Sequence, residues 1–151
     1  MPERAFHELG DLLTKALLLK NFGLYRSALT LPARFAPKEG KADVLSDEAA
    51  LRADFDLYVS IIKLHGVTDI YRQFLGCDRV DEGLMSVNWI THVLVRARRL
   101  ADPFATRMLV RHGEDGWRIA AIESSEGHLN WTLGQATVSP EGRFVLRTGE
   151  D

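Results

Sequence analysis

An α+β fold is predicted for this chain, and three observations predict it. From Val67 to Ser125 come four β-rich runs, Val67–Phe74, Leu84–Arg96, Phe104–His112 and Trp117–Ser125. Ahead of them lie two stretches whose apolar residues recur in steps of three and four, the spacing of one helix face. An Asp-Gly turn, Gly113-Glu114-Asp115-Gly116, joins the last two runs as a hairpin. Together these describe an antiparallel sheet covered on one face by N-terminal helices.

The first helix is expected over Ala5–Lys20, where Phe6, Leu9, Leu13, Ala16 and Leu17 form the stripe and Asn21-Phe22-Gly23 supplies a stop. Gly10 weakens it slightly. Leu24–Phe35 reads as a strand, because Tyr25, Leu29 and Leu31 alternate with Arg26, Ala28 and Thr30. Pro32 confines that strand to a sheet edge or a bulge, since proline has no N–H to give a ladder. Pro37–Lys41 reads as an exposed loop. Ser46 is the predicted N-cap of a second helix, with Asp47 and Glu48 at the positive end of its dipole and Gly66 after His65 as its stop. Its wide stripe of Leu51, Phe55, Tyr58 and Ile62 predicts a helix gripped on several sides, in the concavity of the sheet.

Ile70–Cys77 fits either a strand or a continuation of helix, and Gly66, which ends the helix, favours the strand. In Leu84–Arg96 the odd residues Met85, Val87, Trp89, Thr91, Val93 and Val95 are predicted to face the helices. Phe104, Thr106, Met108 and Val110 do so in the next run, and Trp117, Ile119 and Ala121 in the last. Trp131–Val138 and Arg143–Arg147, joined by Ser139-Pro140-Glu141-Gly142, predict one more hairpin. With no repeats or linkers, residues 1–151 are expected to form a single domain.

Composition narrows the function classes. Of 151 residues 46% are apolar and 26% charged, and the net charge is −2, so a nucleic-acid or membrane partner has no electrostatic basis. Arg96, Arg98 and Arg99 are better explained as solvated residues at a strand end than as a phosphate patch. Cys77 is the only cysteine, which rules out an internal disulfide, and a small core residue is its commoner role. Glu3, Glu8 and Asp11 do not suit a secretory signal, and no run has the length of a bilayer span, so a cytoplasmic location is expected. Asn130-Trp131-Thr132 matches a glycosylation pattern that has no use without a secretory route.

Helix, strand, long helix and then antiparallel strands closing on Glu114-Asp115-Gly116-Trp117-Arg118-Ile119 resembles the nuclear transport factor 2-like superfamily. That superfamily includes SnoaL-like cyclases, ketosteroid isomerases and scytalone dehydratase, with ring-hydroxylating dioxygenase β subunits as relatives. The resemblance implies a cone-shaped roll, its curved antiparallel sheet wrapped over two to three N-terminal helices, with an open end that holds a small apolar molecule. It also implies a homodimer through the outer sheet face. No catalytic motif of the superfamily carries over residue by residue. The expected function is therefore small-molecule binding of the SnoaL-like type, extending to a cofactor-free isomerase or lyase. The alternatives are a non-catalytic dimerisation module and the small subunit of an aromatic-ring dioxygenase.

The familiar catalytic and metal motifs are absent. His7-Glu8-Leu9-Gly10-Asp11 begins like a zinc-protease helix but puts an aspartate where the second histidine belongs. Asp69, Tyr71 and His92 are the candidates for acid–base work: a carboxylate beside a phenol to move a proton and hold the resulting enolate, and an imidazole in the right pKa range. Against this, Asp69 capping a turn and pairing with Arg72 is the commoner arrangement, and alternation puts His92 on the face away from the helices. Asp54 falls on the Leu51–Phe55–Tyr58 side, although an aspartate there is more often at the surface. Phe55, Tyr58, Trp89, Phe104, Met108 and Trp117 are the candidate ligand-binding residues, with plain core packing as their simpler role. Leu84, Ile90 and Leu94 among polar residues on the other face are what a moderately wet homodimer contact would show.

Overall fold

The computed structural model describes residues 3–37, 43–100, 102–124, 136–138 and 144–146. Three helices precede the long strands: α1 (Glu3–Leu18), α2 (Phe22–Ala28) and α3 (Glu48–His65). The strands are β1 (Leu29–Pro37), β2 (Asp43–Leu45), β3 (Asp69–Asp81), β4 (Leu84–Val95), β5 (Arg98–Arg99), β6 (Phe104–Gly113), β7 (Gly116–Ser124), β8 (Ala136–Val138) and β9 (Phe144–Leu146). The main sheet runs β2-β1-β7-β6-β4-β3, with β5 against β4, while β8 and β9 pair as a separate hairpin. The predicted turn of that hairpin, Ser139–Gly142, and the outer parts of its two predicted strands lie outside the described residues.

Two expectations change. Leu24–Ala28 is helical, because Asn21 starts a helix as well as following one: its Oδ1 accepts from the Leu24 amide at 3.1 Å. Tyr25 and Ala28, both buried, then sit one turn apart on a single face, and Leu29, also buried, begins β1. The sheet is also mixed rather than wholly antiparallel. β1 runs parallel to β7, between it and β2, so it is no edge strand, and Pro32 lies where the register with β7 slips between Leu29 and Arg34. Pro32 thus sits at an irregularity of the ladder, where its missing N–H costs no regular pairing.

α3 is capped by Asp47, one residue later than predicted, whose carboxylate accepts from the Ala50 amide at 2.9 Å. It ends on Gly66 in the left-handed region at φ 67°, which a side chain would strain. The predicted inner face of β4 holds: Val87, Trp89, Thr91 and Val93 are buried. Val87, Trp89 and Val93 meet Phe6, Leu9, Leu13 and Leu17 of α1 and Leu51, Phe55, Ile61 and Ile62 of α3 in one core. α1, rather than α3, is set most closely on the strands, against β3 and β7, while α3 lies over α1, α2 and β2. No helix among the described residues is long and apolar enough to cross a membrane.

Candidate functional site

Every layer of the fold contributes to one interior cavity of about 70 Å³. Its walls are apolar: Leu13 and Leu17 from α1, Ile70 from β3, Val93 from β4, Phe104 and Met108 from β6 and Ile122 from β7. Set into them are Tyr25 of α2, Tyr58 of α3 and Arg72 of β3, together with Thr91, Thr106 and Ser124. Thr91 and Thr106 are buried and share a hydrogen bond of 2.8 Å between their hydroxyls.

Arg72 is the cation of this site. β3 alternates, so Ile70, Arg72 and Phe74 point to the helices while Asp69, Tyr71 and Gln73 are exposed. One terminal nitrogen of Arg72 donates to the Gly10 carbonyl at 2.9 Å and to the Thr14 hydroxyl at 2.6 Å, and Thr14 in turn donates to the Ile70 carbonyl at 3.1 Å. These bonds clamp β3 to α1. Burial lowers the Arg72 pKa to about 10, opposed by Tyr58, Asp11, Tyr25 and Asp69, so the guanidinium stays charged at neutral pH. Among the described residues it makes no ion pair.

The two phenols are held neutral. Burial pushes both Tyr25 and Tyr58 well above the usual tyrosine range, and the charge of Asp54 pushes in the same direction. Asp54 lies one helical turn before Tyr58, and its Oδ2 is buried. Tyr25 is placed by the short α2 and packs its ring on Phe55 with centroids 4.9 Å apart.

Of the predicted ligand-binding residues, Tyr58, Phe104 and Met108 line the cavity. Phe55, Trp89 and Trp117 are instead packing residues: Phe55 against Phe22 and Tyr25, Trp89 edge-on to His7 and Phe74, and Trp117 against Phe6. Asp69, Tyr71 and His92 are not brought to the cavity. Tyr71 and His92 are register partners on the outer face with rings 5.6 Å apart, a consequence of strand alternation. Asp69 accepts from the next amide, that of Ile70, and with Tyr71 borders an open groove between α1 and β3. It makes no surface pair with Arg72, which turns inward. Tyr25 and Arg72 are the site residues that the sequence reading missed. An Asn cap four residues before Tyr25, and the alternation of Arg72 with Ile70, are the signals that would have found them.

The outer face of the sheet is mixed. Arg107 donates to Ser86 at 2.7 Å and meets Glu123 at 3.5 Å, with Arg34 on the other Glu123 oxygen at 3.4 Å. Tyr71 and Leu75 stand 55% and 56% exposed near it.

No protein-family model matches the chain, and no curated protein sequence does. Solved structures do. A domain of unknown function with a cystatin-like fold from Nostoc punctiforme is similar with a TM-score of 0.63 at 13% identity, covering 82% of this chain and 76% of that one. An NTF2-like protein from Novosphingobium aromaticivorans reaches 0.57 at 13% identity over 87% and 88%. A Shewanella frigidimarina protein provisionally assigned as a ketosteroid isomerase reaches 0.58 at 17% identity over 78% and 92%. These likenesses establish the fold: a nuclear transport factor 2-like, cystatin-like cone.

Proposed function

Proceeding from the nuclear transport factor 2-like cone as premise, we propose that the chain is a small-molecule-binding domain that takes a compact ligand into the interior cavity. The observation that carries this reading is the meeting of two neutral phenols and a guanidinium on apolar walls. A few polar groups converging in an apolar concavity is what ligand sites have and plain cores lack. The clamp to Gly10 and Thr14 accounts for one nitrogen of this part-buried arginine, and the rest of the guanidinium is left at the cavity, where burying a charge costs free energy that packing alone does not return. The size of the cavity limits the guest. A cavity of about 150 Å³ holds benzene, so 70 Å³ suits a smaller molecule or one end of a larger one.

A second reading, cofactor-free isomerase or lyase chemistry, is favoured by Asp54. A carboxylate with a buried oxygen beside phenols that stay protonated is the pairing in which a base takes a proton while donors stabilise the developing oxyanion. In that reading Asp54 is the base and Tyr25 and Tyr58 are the donors. The outer face, with Tyr71, Leu75 and the partly apolar Ile90 and Leu94, supports a homodimer as the assembled form.

Titration with 2-cyclopentenone, compact and apolar with a single acceptor oxygen, tests the reading by backbone amide NMR. Shifts are expected at Leu13, Tyr58, Thr106 and Met108, and Tyr58→Phe should weaken them. Shifts confined to the outer sheet face, or none at all, would remove the interior site.

A further inference from the structure

We infer that the ligand of the cavity is a compact carboxylate, its charge met by the Arg72 guanidinium and its carbon chain by the apolar walls; this rests on the ligand-binding reading above. The first support is the charge balance. The described lining holds one cation and no aspartate, glutamate or histidine, and Asp54, outside the lining, acts by its charge on Tyr25 and Tyr58. Arg72 has no ion pair among the described residues, and the carboxylates that act on it, Asp11 and Asp69, are exposed and beyond ion-pair distance. Arg72 is part-buried and also borders the open α1–β3 groove, and a part-buried cation without a counterion carries a cost that a bound anion offsets.

The second support is the donor inventory. A guanidinium carries five N–H donors in a planar fork. One terminal nitrogen is committed to Gly10 and Thr14, which fixes the plane of the fork. The remaining donors of Arg72 have no bond to a described residue, and a fork held in this way matches the two oxygens of a carboxylate. Between Thr91 and Thr106, whichever hydroxyl donates, the other keeps a hydrogen to give. Ser124 adds a hydroxyl at the same cavity.

The third support is size and wall chemistry. Phosphate spreads a larger charge over a tetrahedral shell of oxygens and asks for several cations or backbone amides. Here a single arginine faces Phe104, Met108, Ile70 and Val93 across about 70 Å³. A short acid can lay its tail on those side chains, whereas a single arginine leaves most phosphate oxygens without a charged donor.

The test compares butyrate with butyramide, which has the same number of heavy atoms but no charge, and adds inorganic phosphate and 2-cyclopentenone. Each is titrated into the full chain and into Arg72→Lys and Arg72→Gln, followed by the amides of Thr106 and Met108. Butyrate is expected to bind about tenfold or more tightly than butyramide, the worth of one charged hydrogen bond. Arg72→Lys should keep part of that preference and Arg72→Gln should abolish it. If Arg72→Gln does not fold, the wild-type ratio and Arg72→Lys decide. Butyramide equal to butyrate, phosphate tighter than butyrate, or a preference that survives in Arg72→Gln would each overturn the inference. Cyclopentenone bound in the cavity without any preference for the acid would overturn it while leaving the binding reading intact. No cavity shift with any of the four would end both.

Discussion

Arg72 of β3 and Thr14 of α1 are joined by a hydrogen bond of 2.6 Å, and the same threonine hydroxyl donates to the Ile70 carbonyl at 3.1 Å. One side chain thus ties the first helix to the outermost long strand and also fixes the cation of the cavity. Thr14→Val keeps the shape and removes both bonds. The expected loss is about 2 kcal/mol of unfolding free energy, as for bonds to a charged group in a partly buried setting. Thr14→Ser should recover most of it. Urea denaturation measures both, and a valine variant as stable as wild type would show the clamp to be incidental.

Gly10 is buried in the middle of α1, where glycine is a poor helix former. A methyl group there would meet Arg72 Cδ at 3.7 Å, ordinary van der Waals contact. Gly10→Ala is therefore expected to raise stability by about 0.5–1 kcal/mol. A fall in the thermal midpoint would mean that the Gly10–Arg72 approach is tighter than its geometry indicates.

The raised pKa values of Tyr25 and Tyr58 set a pH dependence. In the unfolded chain both phenols ionise from about pH 10, whereas the folded chain keeps their protons. The unfolded state thus binds fewer protons above that pH, and stability falls as pH rises. Arg72, whose pKa burial lowers, acts in the opposite sense above about pH 10, but it is one group against two. Thermal midpoints from pH 8 upward should drop above about pH 10, less steeply in Tyr58→Phe. The tyrosinate absorbance of these two residues should appear only with unfolding.

The homodimer is tested at Tyr71 and Leu75, both exposed and on the face away from the helices. Light scattering on a sizing column is expected to give twice the 17.0 kDa chain mass for wild type and the single-chain mass for the double variant Tyr71→Arg, Leu75→Arg. A wild-type chain that runs at the single mass at micromolar concentration would sink the dimer.

Much of the fold was legible because strong periods leave little freedom. β4 places Val87, Trp89, Thr91 and Val93 inward by alternation alone, and Gly66 stops α3 where a left-handed residue is needed. Other parts were not, for definable reasons. Tyr25, Ala28 and Leu29 are spaced so that both a helix and a strand fit so short a window, and only the Asn21 cap separates them. The parallel β1–β7 pairing is a long-range choice that no local pattern records. In the site, Arg72 suggests a surface residue, because arginine usually is one. What turns it inward is strand parity together with acceptors more than fifty residues away in the chain, Gly10 and Thr14. Asp69, Tyr71 and His92 have the chemistry of acid–base groups, and strand parity turns them away from the helices.

The pairing of β1 with β7 also orders events during synthesis. α1, α2 and β1 leave the ribosome early, yet the strand that β1 must lie against ends at Ser124. Until that segment emerges, one flank of β1 has only the short β2 beside it on the other side, and its remaining N–H and C=O groups are open to any passing strand. A nascent chain stalled before β7 is therefore the form most exposed to mispairing, and chaperone demand should be concentrated there rather than in the finished protein.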